Sequence, residues 1–127
     1  MKRVHCSHDC GLVVNPDSLK NQIEGCIVQT LSRALHEEVT FDRSRVTSVD
    51  WTSYPILRFP EAPQVDVHLI DRPDQPLMGA GEAATAPVAA ALANAVFDAT
   101  GVRLRTVPFT PDRVKAALAA KMSVTEA

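Results

Sequence analysis

Aromatic side chains are scarce in this chain, 5% of its residues, and neither sign of charge dominates, the formal net charge being −2. Such a composition builds neither base-stacking platforms nor a basic track for a phosphate backbone, so a nucleic-acid surface is excluded. Apolar runs are short, and none approaches the roughly 18 to 20 residues of a membrane span. The N-terminus, Met1-Lys2-Arg3-Val4-His5-Cys6, passes straight into polar residues without the apolar region of a signal peptide. Cysteines number only 3, at positions 6, 10 and 26, which is no disulfide framework. They fit a reducing compartment and favour a cytoplasmic location, although export alongside a signal-bearing partner would leave the same pattern. What is present is a chain of 127 residues, 46% of them hydrophobic, enough for the core of one domain.

Along the chain the pattern predicts an α+β fold. Residues 3–14 read as a strand with a turn at Gly11, beginning so close to the first residue that the chain is expected to be a piece of something larger. Asn15-Pro16-Asp17 is a helix start, and Leu19, Ile23, Cys26, Ile27, Leu31, Ala34 and Leu35 form an apolar stripe behind it. Gly25 interrupts that helix at a cost of about 1 kcal/mol relative to alanine, which a close backbone approach would compensate. Residues 39–49 suggest a hairpin. Residues 51–63, with three prolines, read as a connection anchored by Trp51, Tyr54 and Phe59. A strand over 65–70 precedes the glycine-rich run Met78-Gly79-Ala80-Gly81-Glu82, and an alanine-rich helix over about 83–99 follows, enclosed by other elements. Gly101 closes that helix. Val102 to Arg105 reads as a short strand, and Thr110-Pro111 opens a last helix through Ala120. The whole amounts to a mixed sheet with two long helices and a short C-terminal one over residues 1–122, with a frayed tail over 123–127.

The residues that carry chemistry are few. Gly79 and Gly81 let the backbone take positive φ and approach another molecule, and Glu82 then stands in the first turn of a helix, where a carboxylate complements the dipole. His5-Cys6-Ser7-His8-Asp9-Cys10 packs possible metal ligands of three kinds, histidine, cysteine and aspartate, into six residues. Yet on a strand Cys6, His8 and Cys10 share a face whose ends are about 13 Å apart, too far for one zinc. These are ordinary strand positions, and no metal site is expected. Gln22 lies beside the apolar stripe, where a partly buried amide needs partners. No hydrolytic triad is evident, and Gly79-Ala80-Gly81 lacks the third glycine of a dinucleotide fingerprint.

Gly79-x-Gly81-Glu82, followed by Pro87, Asn94 and Ala95, resembles the active-site segment of the molybdopterin-binding large subunit in the xanthine dehydrogenase/aldehyde oxidase family. The isoquinoline and nicotinate dehydrogenase type is the nearest in likeness. Gln22-Ile23-Glu24-Gly25 matches a second segment of the family, with Asn21 in place of a glycine. Cys10-Gly11, Asn15-Pro16, Ser53-Tyr54-Pro55, Arg58-Phe59, Ile70-Asp71-Arg72-Pro73, Thr100-Gly101-Val102-Arg103 and Thr110-Pro111 follow in the family's order from about residue 3 to about residue 118.

The resemblance implies that Glu82 is the catalytic base, and that Gln22, Gly79 and Gly81 contact a molybdopterin cofactor, expected as the molybdenum–cytosine dinucleotide. It further implies hydroxylation of an N-heterocycle or aldehyde with water as oxygen source, and iron–sulfur clusters on a partner subunit, since three scattered cysteines cannot hold one. Family subunits are several times longer, so the upstream portion of the subunit is an expected partner and the chain is expected to be inactive alone. The rival expectation is a non-catalytic α+β interaction domain, or a truncated remnant.

Overall fold

The computed structural model describes residues 1–125, with side chains described through residue 123. The chain divides into two compact units, one of Met1–Thr30 with Arg58–Val88, the other of Leu31–Leu57 with the chain from Ala89 onward.

In the first unit β1 (Arg3–Asp9) and β2 (Gln64–Ile70) pair in parallel, Arg3 opposite Gln64 and Asp9 opposite Ile70. Parallel pairing requires a long crossover, and the chain uses it to place helix α1 (Pro16–Leu35) between the strands in sequence. Along β1 the alternation sends Val4, Cys6 and His8 to the half-buried side and leaves Arg3, His5, Ser7 and Asp9 exposed. The strand stops short of the expected residue 14 because Gly11 adopts φ +76, a left-handed conformation that reverses the chain. Three bonds fix that reversal: the Gly11 N–H donates to the Asp9 carboxylate (3.0 Å), the Arg72 N–H to the Gly11 carbonyl (3.2 Å), and the Met78 N–H to the Cys10 carbonyl (2.9 Å). A Cβ on Gly11 would overlap the Pro76 carbonyl oxygen, so only glycine fits there.

The start of α1 is the expected cap, the Asn15 side chain accepting the Ser18 N–H at 3.0 Å. Behind it Ile23, Cys26 and Ile27 are buried, with Cys10, Ala84 and Val88, as the core of the first unit. Full burial of an isoleucine contributes on the order of 1.5 to 3 kcal/mol.

In the second unit Leu31, Ala34, Leu92, Leu104 and Phe109 are buried. Its one buried polar residue among those described, Ser32, accepts the Leu57 N–H at 2.9 Å, and the Phe109 N–H donates to the Ala34 carbonyl at 2.7 Å. Helix α2 (Val88–Thr100) ends at Gly101, φ +67, and α3 (Pro111–Thr125) carries Arg113, which forks onto both carboxylate oxygens of Glu38 at 2.8 Å.

The α+β class stands, with differences of detail. Among the described residues the sheet is a parallel pair where a mixed sheet was expected. The hairpin at 39–49 shrinks to one antiparallel bridge, Phe41 with Val46, and Val102–Arg105 forms no strand. Among the described residues no strand lies beside Val102–Arg105 to complete a ladder, and the arms of 39–49 bond each other through their backbones only at Asp42–Arg45 and Thr40–Thr47. The alanine-rich helix begins at Val88 instead of 83: a proline at 87 inside a helix would lack its N–H donor and clash with the carbonyl of residue 83, so the chain makes only a short 3-10 turn over Ala83–Thr85 before it. Ala90, Ala91, Ala95 and Ala99 are exposed, so α2 is not enclosed within this chain. Nor do the aromatics anchor residues 51–63. Trp51 is 67% and Phe59 95% exposed, and only Tyr54 is held, donating to the Glu37 carboxylate at 2.8 Å. The tail expected over 123–127 is helical through Thr125, and residues 126–127 lie outside the described residues.

Candidate functional site

The glycine-rich turn reaches its place in two steps. The Gly11 reversal holds Arg72 to Met78 against the end of β1, and the next residues, Gly79 to Glu82, then meet α1. There the Gln22 side-chain amide donates to the Gly81 carbonyl, and the Cys26 thiol donates to the same oxygen at 3.2 Å. Gln22 and Cys26 stand four residues apart on one face of the helix, with the amide nitrogen of the first 3.7 Å from the sulfur of the second. Because the Gly81 oxygen only accepts, the Gln22 amide must present its NH2 to it. Its own oxygen Oε1 is left without a hydrogen-bond partner among the described residues.

Glu82 follows directly. Its carbonyl accepts the Thr85 N–H (2.9 Å) and the Thr85 hydroxyl (2.7 Å), which close the 3-10 turn, while its carboxylate is exposed and has no partner among the described residues. Its backbone, φ −134 and ψ 9, starts that turn rather than the first turn of α2, so the helix-dipole setting expected from the sequence is replaced by a turn that precedes the helix. Gly79 and Gly81 do not take positive φ, contrary to expectation, and a Cβ on either would meet nothing within 4 Å. Neither the backbone nor this chain's packing therefore demands glycine at these two positions. Space in front of them is what glycine preserves.

Thus the structure brings Gln22, Gly81 and Glu82 together and keeps Gly79 in the same turn. Cys26 read as a core position in the sequence. Its thiol joins the site because it falls one helical turn after Gln22, a spacing visible in the sequence only once the partner carbonyl is known.

The cysteine–histidine cluster on β1 forms no metal-holding group, and none exists among the described residues. Burial pushes the Cys6 thiol up, the direction opposite to that of a thiolate ligand. The His8 Nε2 is enclosed without a hydrogen-bond partner among the described residues.

Residues 1–63 match the family model described as a molybdopterin cofactor-binding domain. The chain is 52% identical over 116 residues to a subunit of the nicotinate dehydrogenase of Pseudomonas putida, covering 91% of this chain and 10% of that protein. It is 37% identical over 111 residues to the beta subunit of isoquinoline 1-oxidoreductase from Brevundimonas diminuta, covering 87% of this chain and 14% of that protein. Among solved structures, quinoline 2-oxidoreductase from Pseudomonas putida 86 superposes with a TM-score of 0.81 at 28% identity, over 91% of this chain and 16% of that one. The chain therefore spans between a tenth and a sixth of the length of these relatives.

Proposed function

This chain belongs to the molybdopterin-binding subunits of the xanthine dehydrogenase/aldehyde oxidase family, and from that premise we propose that residues 1–122 are the segment of such a subunit that supplies the catalytic base of a molybdenum hydroxylase. The observation that carries this reading is the hydrogen bond from Gln22 to Gly81, which joins the expected cofactor-contact glutamine to the residue preceding the expected base.

The residues present fit such a cofactor. Gly79 and Gly81 leave open the space a Cβ would fill, and Gln22 offers an unpartnered acceptor of the kind a pterin N–H requires. When bound, the cofactor, as its molybdenum–cytosine dinucleotide, supplies the redox chemistry of the hydroxylation. Glu82 takes up a proton at a carboxylate oxygen as general base, which requires that carboxylate to be ionised and within hydrogen-bond reach of the water-derived nucleophile. Gln22 holds the Gly81 carbonyl with its NH2 and orients the cofactor with Oε1. The substrate is an N-heterocycle or an aldehyde.

The rest of the machinery lies in the remaining portion of such a molybdopterin subunit and in an iron–sulfur subunit, and residues 1–127 are inactive without them. Exposed Leu12, Val14, Ile70, Leu77 and Met78 in the first unit support a missing neighbour. The exposure of the Glu82 carboxylate favours the rival reading, a non-catalytic interaction domain or remnant. Purification of the C-terminally tagged chain from its native host, with molybdenum measured by mass spectrometry beside the co-eluting proteins, separates the two. Stoichiometric molybdenum with a large partner supports the split enzyme, and Glu82→Gln then abolishes hydroxylation while the metal stays bound. A lone chain without molybdenum removes Glu82 from any catalytic role.

A further inference from the structure

An open groove of about 490 Å³ in the second unit is lined by three arginines, Arg103, Arg105 and Arg113. Thr106 adds a hydroxyl, Leu104 and Ala117 supply apolar surface, and among the described residues no acidic side chain lines it. The three guanidinium groups differ in how far this chain already occupies them. Arg113 forks onto the Glu38 carboxylate at 2.8 Å and donates to the Pro108 carbonyl at 3.2 Å, so its charge is met. Arg103 is held but not neutralised. Its guanidinium lies 3.9 Å from the centre of the Phe97 ring and donates to the Asn94 side-chain oxygen at 2.6 Å, and both partners are uncharged. Arg105 is exposed and has no partner among the described residues. Two positive charges in one concavity are therefore left without a carboxylate of this chain.

Guanidinium groups take oxyanions through paired N–H donors, and one that is already stacked on a ring loses little further freedom when it does so. The volume lies within the range of small-molecule clefts, about 300 to 1,000 Å³, and exceeds what a bare anion needs. Two unmet positive charges match the charge of a phosphate monoester, about −1.5 to −2 at neutral pH. We propose that this groove binds a small phosphate monoester, its phosphate taken by Arg103 and Arg105 and its organic body lying on Leu104 and Ala117. The inference stands apart from the proposed function, whose residues Gln22, Gly79, Gly81 and Glu82 belong to the first unit.

The test is isothermal titration calorimetry of the full chain at constant ionic strength, with phenyl phosphate, inorganic phosphate and benzoate as probes. One phenyl phosphate should bind per chain. It should bind several-fold more tightly than inorganic phosphate, which lacks the apolar body, and than benzoate, which carries a single charge. Arg105→Gln should weaken phenyl phosphate about tenfold or more, and Arg105→Lys less. Ala117→Glu, which sets a carboxylate in the groove, should weaken it similarly while both arginines remain. Arg43→Gln, at an exposed arginine outside the groove, should match the wild type. Absence of saturable phenyl phosphate binding would overturn the inference. Equal losses in Arg105→Gln and Arg43→Gln would also overturn it, since the attraction would then be that of the general surface. Benzoate binding as tightly as phenyl phosphate would remove the phosphate assignment. Binding of a phosphoserine peptide without binding of phenyl phosphate would overturn the small-molecule reading in favour of a protein ligand.

Discussion

The side-chain amide of Gln22 and the main-chain carbonyl of Gly81, 59 residues apart in sequence, are joined by a hydrogen bond, and the Cys26 thiol shares the same acceptor. The turn that presents Glu82 is thus held to α1 by side chains. It is not a rung of the sheet, which ends at Asp9 and Ile70. The two donors act on one acceptor, so removal of either leaves the other in place.

That sharing predicts non-additivity. Gln22→Ala and Cys26→Ala should each lower stability by about 0.5 to 1.5 kcal/mol, the range of a single hydrogen bond. The double variant should depart from the sum by about 0.5 kcal/mol or more, since both side chains act on one carbonyl and on each other. Urea midpoints of the four chains measure this. Strict additivity would mean that the two side chains do not share the carbonyl in solution.

Gly11→Ala should be more disruptive than its size suggests. The position has φ +76, which costs a residue with a Cβ about 1 to 2 kcal/mol, and that Cβ would overlap the Pro76 carbonyl oxygen. The variant should unfold at lower urea by at least this amount. Limited proteolysis should cut first within Arg72 to Met78, the segment that the reversal holds. Unchanged protection of that segment would show that the turn does not hold it.

Core and surface hydrophobics should separate cleanly. Ile27 is 1% exposed, so Ile27→Ala should cost about 2 to 5 kcal/mol through lost burial and a residual cavity. Phe59, larger but almost wholly in solvent, should change the stability of this chain by less than about 0.5 kcal/mol when replaced by alanine. Equilibrium denaturation of the two variants decides it. A large effect at Phe59 would mean that the free chain buries this ring against a second copy.

How far the residues themselves disclosed this arrangement follows from the range of the forces involved. The start of α1 was legible because Asn15, Pro16 and Asp17 act within one turn, and its core stripe because Ile23, Ile27 and Leu31 recur every four residues. Pro87 was equally local, yet the alanines on either side of it suggested a continuous helix, and the backbone obeyed the proline. The strand at 102–105 was not legible as coil, since alternation marks a strand only if a neighbour exists to pair with it. Trp51 and Phe59 were expected to anchor their segment, because large aromatics normally find a core; here they face solvent. Glu82 and Gln22 could be singled out as separate candidates, but the hydrogen bond from Gln22 to Gly81, the residue before Glu82, joins positions 59 residues apart and has no local signature.

Asp9 links the pH dependence of the fold to the same site. Its carboxylate accepts the Gly11 N–H and lies 3.3 Å from the Arg72 guanidinium, and these hold its carboxyl below the usual aspartate range. Asp42 and Asp50 are lowered in the same direction, chiefly by the N–H groups of Ser44 and Ser53. A carboxyl whose folded pKa lies below its unfolded value, about 3.9, stabilises the protein above that value. The contribution is lost as pH falls from there through the folded pKa. The thermal midpoint of the chain should therefore change little between about pH 7 and 5 on account of these groups, and fall below about pH 4. Asp9→Asn keeps an acceptor for the Gly11 N–H but has no charge to lose, so its midpoint should lie below that of the wild type at neutral pH and converge with it as the pH drops. Parallel curves for the two chains down to about pH 2 would show that Asp9 is not coupled to folding. The reversal at Gly11, and with it the position of Arg72 to Met78, would then rest on the backbone bonds alone.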